Sequence, residues 1–170
     1  AEHPHVTKST VGTSRDGKPL HLLEITDGES ERLILVISRQ HPPEVTGTHA
    51  CLAFLETVSA DTELAKSFRK AFKVLAVPLM NPDGVDNGHW RHNFGGVDLN
   101  RDWNHFNQLE TRTVSEFFEQ AAAEPGAQVY FGVDFHSTQK DVFYTLTEEF
   151  QTTPAGFLDK WLAACLLYTS

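Results

Sequence analysis

The chain is poor in cysteine and has no surplus of positive charge, and each shortage removes a class of protein. Two cysteines, Cys51 and Cys165, cannot form the disulfide framework of a small secreted scaffold or the thiolate cage of a structural zinc site. A net charge of −9 argues against nucleic acid or an anionic membrane as the main partner. No apolar run approaches the ~18 residues of a membrane-spanning helix. There is no internal repeat and no low-complexity segment. Ala1 is not a start residue, so a missing signal peptide says nothing about compartment. What remains is ordinary for a globular domain. At 170 residues and 40% hydrophobic content, the chain is long enough to bury a core of its own.

Against that background, one spacing stands out. His41-Pro42-Pro43-Glu44 sets a His and a Glu three positions apart, and His136 follows much later in Asp134-Phe135-His136-Ser137. Two neutral imidazoles and one carboxylate suit a catalytic zinc, because they leave a coordination position open. The surroundings strengthen the reading. Arg32–Ser38 is an apolar, β-branched run ending just before His41, and Val129–Phe135 is a second run ending at His136. In open α/β sheets, ligands bind just outside the carboxyl ends of the strands.

A third block lies between these pieces: Asn81-Pro82-Asp83-Gly84, then Arg91, then Gly96-Val97-Asp98-Leu99-Asn100-Arg101. Asn-Pro-Asp-Gly has the chemistry of a turn. The stretch from Met80 to Gln108 has neither helical nor strand periodicity, yet carries Trp90, Phe94, Trp103 and Phe106, as a functional loop would. Its arginines offer planar forks of donors suited to a carboxylate.

The wider pattern is α/β. Strands are expected at Leu20–Thr26, Leu33–Ser38, Phe72–Val77, Val129–Phe135 and Val142–Thr145. Helices are expected at Glu44–Ser59, Thr62–Lys70, Leu109–Ala123 and Pro154–Ala164. The turn residues Asp27–Ser30 suggest that the first two strands form an antiparallel, hairpin-like pair. Alternating strands and helices imply a mostly parallel sheet covered on both faces.

His41-x-x-Glu44, Asn81–Gly84, Arg91, Gly96–Arg101 and Asp134–Ser137, in this order, resemble the zinc metallocarboxypeptidases, and within them the branch of cytosolic-type carboxypeptidases and bacterial relatives. The resemblance runs from about Val11 to Thr145. It implies a three-layer α/β/α sandwich with a mixed central sheet, left incomplete here. It implies one Zn2+ held by His41, Glu44 and His136, with Asp98 orienting His41 as a metal-bound imidazole's partner does. Asp134 is a weaker candidate for a similar role. Arg91 would stabilise the oxyanion formed when water attacks the scissile carbonyl, and Asn100 and Arg101 would grip the free C-terminal carboxylate of a peptide or protein substrate. The implied activity is removal of the C-terminal residue. A related zinc deacylase of N-acyl amino acids, or a non-catalytic binding fragment, are the alternatives. Asn81–Gly84 favours the peptidase.

The resemblance also implies a general-base glutamate and a closing tyrosine well downstream of His136. Glu148, Glu149 and Tyr144 lie too near to match, so residues 1–164 read as a partial catalytic domain that is inactive as it stands. Cys165–Ser170 matches the translation of TGTCTCTTATACACATCT, a transposase-adapter end, and is expected to be non-native. By the same resemblance, Ala1–Ser9 would be the end of a helix and a loop leading to the first strand.

Overall fold

The computed structural model describes residues 3–28, 30–138 and 156–166. They divide into two units, one ending at Ser137 and the other beginning at Thr138. The first is a five-stranded mixed sheet of order β1-β2-β4-β3-β5, built from β1 (Val6–Thr13), β2 (Pro19–Ile25), β3 (Arg32–Ser38), β4 (Lys73–Val77) and β5 (Gln128–Phe135). β1, β2 and β4 pair antiparallel, whereas β4, β3 and β5 pair parallel.

Period-two alternation sends each strand's side chains to two separate cores. Leu33 of β3 and Leu75 and Val77 of β4 point to the face covered by α4 (Leu109–Ala123), where Val114 is fully buried. Ile34, Val36, Val74 and Ala76 point the other way, under Cys51, Leu55 and Val58 of α1 (Val45–Ser59) and beside Phe68 of α2 (Glu63–Ala71). Each Val, Leu or Ile so buried contributes roughly 1.5–3 kcal/mol. With helices on both faces, the first unit is the expected three-layer sandwich with a mixed sheet. Thr62 caps α2 by accepting the Ala65 N–H at 3.2 Å. The second unit contributes a helix, α5 (Phe157–Leu166), in which Phe157 and Trp161 stack one turn apart with centroids at 6.4 Å.

The β3–β5 pairing carries one irregularity that matters for the site. Leu33 pairs with Val129 but Ile34 pairs with Phe131, so Tyr130 is an extra residue in β5. From Phe131 onward, Phe131, Val133 and Phe135 pack on the α1 side. Ser38 pairs with Phe135, which brings the ends of β3 and β5 to the same edge of the sheet.

Three expectations are corrected. β2 and β3 are not a hairpin pair, because β4 lies between them; two neighbours in sequence are separated by a strand contributed forty residues later. Residues 6–9 are strand rather than the end of a helix and loop. Val-Thr-Lys-Ser-Thr-Val-Gly-Thr forms the edge of the sheet with most of its side chains exposed, so it lacks the apolar alternation of a half-buried strand. Asn81–Gly84 is a helix start rather than a turn. Asn81 accepts the Gly84 N–H at 2.9 Å and Pro82 takes the first position of α3 (Pro82–Asp86), where a missing N–H costs nothing. Gly84 is needed there for space, since a Cβ would come within 2.7 Å of the Pro42 and Asn81 side chains. The expected strand at Val142–Thr145, together with Tyr144, Glu148 and Glu149, lies outside the described residues.

Candidate metal centre

The chain leaves β3 through a left-handed residue, Arg39 (φ 59°), an unusual conformation for a side chain with a Cβ. The Arg39 guanidinium secures the turn, donating from Nε to the Pro42 carbonyl at 2.7 Å and from Nη1 to Thr48 Oγ1 at 2.9 Å. His41 is thereby buried at the strand end, and Glu44 stands at the N-cap of α1. The Glu44 side chain does not cap its helix. It turns into the site, where Oε1 lies 2.7 Å from His41 Nδ1 and Oε2 lies 2.8 Å from His136 Nδ1. Ser137 N–H also donates to Oε2 at 3.0 Å. One donor atom from each of His41, Glu44 and His136 falls within 4.8 Å of the others.

The far side of each imidazole faces a further carboxylate. His41 Nε2 is 2.9 Å from Asp98 Oδ1, and His136 Nε2 is 2.7 Å from Asp134 Oδ2. Ionised carboxylates only accept, so both Nε2 atoms carry the proton. A neutral imidazole then turns its Nδ1 lone pair toward Glu44, which is also an acceptor. Two lone pairs facing one carboxylate leave a gap that only a cation can reconcile: protons on the rings, or a metal ion among the three groups. Nitrogen and oxygen donors, three in number and each backed by a hydrogen-bonding partner, fit zinc.

The electrostatics agree. Burial disfavours the Glu44 carboxylate, but the hydrogen bonds from Ser137, His41 and His136 outweigh it and hold its pKa below the ordinary value. Burial also opposes charge on His136, yet Asp134 and Glu44 raise its pKa above the usual imidazole value.

α1 approaches His136 closely at Gly47. A Cβ there would sit 2.6 Å from the His136 carbonyl carbon and oxygen, and the Gly47 N–H donates to Ser137 Oγ at 2.7 Å. Glycine lets the helix N-terminus rest on the strand end, so Glu44 and His136 meet.

The remaining site residues come from the loop after α3. Asp98 caps a 3₁₀ turn, Leu99–Arg101, by accepting the Asn100 N–H at 3.0 Å on the same oxygen that meets His41. Its other oxygen accepts from Arg91 Nε at 2.6 Å. Burial would raise the Asp98 pKa; bonding to His41 and Arg91 lowers it further than burial raises it. Arg91 and Arg101 are exposed, and Arg101 Nη1 donates to the Asn100 carbonyl at 3.1 Å. The loop is pinned from behind. Buried Asn93 accepts from Gly95 and Val97 N–H and donates to Gln108 and Glu110 at the start of α4. Buried Asp102 accepts from the N–H groups of Asn107 (3.1 Å) and Gln108 (2.8 Å) and from the Thr111 hydroxyl.

The seven residues singled out from sequence thus lie in one neighbourhood joined by Asp98 and Glu44. Asp134, Ser137 and Trp103, named in the sequence motifs without partners, and Gln40, not singled out there, lie in the same hydrogen-bonded neighbourhood. For Asp134 a signal existed: residues two apart at a strand end share a face, so Asp134 and His136 point the same way.

Fold and donor set together place a group that could hold a metal ion at the edge of an α/β/α sheet. A family model for zinc carboxypeptidase (Peptidase_M14) matches residues 1–108, nearly two thirds of the sequence, and the chain belongs to that family. Cytosolic carboxypeptidase 2 of Xenopus tropicalis is 35% identical over 101 residues, covering 55% of this chain and 10% of that protein. Cytosolic carboxypeptidase 6 of Mus musculus is 25% identical over 139 residues, covering 76% of this chain and 26% of that protein. The chain therefore corresponds to a minor part of the length of these relatives. A metallo-carboxypeptidase from Pseudomonas aeruginosa, solved with (2-guanidinoethylmercapto)succinic acid, matches with a TM-score of 0.59 at 28% identity, over 81% of this chain and 35% of that one. A metallo-carboxypeptidase from Burkholderia cenocepacia shares the fold, with a TM-score of 0.70 at 22% identity, over 81% and 38%.

Proposed function

We propose that this chain carries the zinc-binding and substrate-carboxylate-binding parts of an exopeptidase that removes C-terminal residues from peptides or proteins. The observation that carries the reading is the convergence of His41, Glu44 and His136 within 4.8 Å, linked through Asp98 to Arg91 and to the turn bearing Asn100 and Arg101. His41, Glu44 and His136 hold one zinc ion. Zinc bound there supplies Lewis-acid chemistry, polarising a carbonyl and bringing the pKa of water to about 7. Arg91, exposed and tethered at Nε, presents fixed positive charge to the oxyanion of the attacked carbonyl, an effect typically worth ~3 kcal/mol for one donor. Asn100 and Arg101 receive the substrate's terminal carboxylate and so select chain ends.

Glu44, Asp98 and Asp134, the carboxylates that touch the two imidazoles, are all engaged with those rings, so none of them serves as general base. We infer that the described residues bind zinc and substrate and that the general base lies outside them.

Binding, rather than turnover, tests it. Metal analysis of the purified chain should find about one zinc, lost in His136→Ala. A peptide with a free C-terminus should then bind the zinc-loaded chain more tightly than its amidated form, and Arg101→Ala should erase the difference. Equal binding of the two peptides by the unsubstituted chain would remove the carboxylate clamp.

A further inference from the structure

Gln40 precedes His41 and has no solvent exposure, and its side chain is directed to Trp103 and Asp134, with its amide nitrogen 3.4 Å from His136 Nε2. Its amide oxygen lies 2.8 Å from Trp103 Nε1 and its amide nitrogen 2.5 Å from Asp134 Oδ2. The orientation of the amide follows from its partners. An indole N–H can only donate and an ionised carboxylate can only accept, so the oxygen must face Trp103 and the nitrogen must face Asp134. Asp134 Oδ2 also meets His136 Nε2 at 2.7 Å. The backbone beneath is held as well, because Asn81 Nδ2 donates to the Gln40 carbonyl at 3.0 Å. The result is a directed chain of hydrogen bonds: Trp103 to Gln40, Gln40 to Asp134, and His136 to Asp134.

We propose that Gln40 and Asp134 are positioning residues for His136, locked by the Trp103 indole, and that they tie the setting of this imidazole to the loop carrying Asn100 and Arg101. Asp134 is the only described carboxylate on the Nε2 side of His136, and it is half-exposed on a strand end; unaided, it could turn to water. The Gln40 N–H holds its oxygen against the ring. With Nε2 committed as donor, Nδ1 keeps its lone pair for the shared centre with Glu44. Trp103 follows directly on the Leu99–Arg101 turn, with Asp102 between, so a shift of that turn on binding a carboxylate would be transmitted through Gln40 to the ring. The inference rests on the zinc reading above.

Zinc affinity of the purified chain, measured by competition with a coloured chelator, and the visible spectrum of its cobalt(II) form provide the test. Melting of the metal-free protein is followed in parallel. Asp134→Ala is expected to weaken zinc binding by about 10–100-fold, the usual consequence of losing an imidazole's partner. Gln40→Glu keeps the acceptor for Trp103 but sets a carboxylate against Asp134, and is expected to weaken zinc by about tenfold or more. Trp103→Phe keeps the ring and removes only the N–H, and a smaller loss is expected. Each should alter the cobalt spectrum. Wild-type zinc affinity and spectrum in Asp134→Ala and Gln40→Glu, with binding abolished in His136→Ala, would overturn this proposal and leave the zinc site standing. Losses of affinity that merely track loss of metal-free stability, with an unchanged cobalt spectrum, would also overturn it. An unsubstituted chain that binds no zinc would sink both readings.

Discussion

Arg91 Nε and Asp98 Oδ2 lie 2.6 Å apart, and the other oxygen of the same carboxylate lies 2.9 Å from His41 Nε2. A residue expected to act on the substrate oxyanion and a residue expected to hold the metal are therefore set by one side chain. Asp98 is itself fixed by the Asn100 N–H, so the arrangement reaches the turn proposed to receive the substrate carboxylate as well.

Asp98→Asn tests that sharing. An amide can accept from His41 or from Arg91, but it offers one oxygen where the carboxylate offers two. Zinc affinity should fall by about 10–100-fold. Chelator competition measures it, and an unchanged affinity would separate Asp98 from the metal centre. The preference for a peptide with a free C-terminus should weaken in the same variant.

Zinc binding should release protons. The His136 pKa is raised in the metal-free chain, so its imidazolium contributes stability that is fully present below the ordinary imidazole pKa of ~6.5 and is lost as pH rises through the folded value. Zinc needs the neutral ring, so it binds less well in that acidic range and better above it. Calorimetric titration in buffers of different ionisation enthalpy near pH 6.5 should register the proton, and an identical apparent enthalpy in all buffers would contradict the assignment.

Gly47→Ala should destabilise the protein although alanine is the better helix former. The propensity gain is about 1 kcal/mol. Against it stands a Cβ placed 2.6 Å from the His136 backbone, which has no flexible end to move aside, and such overpacking costs about 1–3 kcal/mol. A lower melting temperature and weaker zinc binding are expected together, because relief of the clash moves Glu44 away from His136. A more stable variant would show that the helix N-terminus has room.

Asp102→Asn should cost roughly 2 kcal/mol, since one of the two oxygens that accept from the Asn107 and Gln108 N–H groups and the Thr111 hydroxyl becomes an NH2 group facing a donor. Burial pushes the Asp102 carboxyl up, but those three donors outweigh it and hold its pKa below the ordinary value of about 3.9. A depressed carboxylate contributes stability above the unfolded pKa and loses it as pH falls through the folded one. The gap between wild type and variant in denaturant unfolding should thus be full at neutral pH and close only below about pH 4. A gap that does not change with pH would mean that the carboxylate charge plays no part.

Much of the site was legible because its signals are local. An apolar run that stops at a histidine locates a strand end, and two such runs locate one edge of a sheet. The α4 boundaries, Leu109 and Ala123, follow from its periodicity and from the Pro125-Gly126 that ends it. Strand order was not legible, because β4 enters between β2 and β3 through pairings distant in sequence. β1 escaped notice because its side chains are mostly exposed, leaving β-propensity without a hydrophobic rhythm. Gln40 and Asp134 are unremarkable in sequence, and only a contact across 94 positions gives them meaning.

Tyr130 has no partner on β3, and its presence offsets the rest of β5 by one step. Side-chain direction reverses at every residue of a strand, so an offset of one exchanges the two faces. Phe135 faces α1 and Asp134 faces away from it because one residue was inserted five positions before Phe135. A chain lacking Tyr130 would carry the same ligands in the same order with their orientation inverted: a carboxylate thrust into the core and a phenyl ring where the imidazole's partner belongs. The chemistry of this edge depends on counting as much as on composition. Deletions in β5 should therefore be far more damaging than substitutions at the same place.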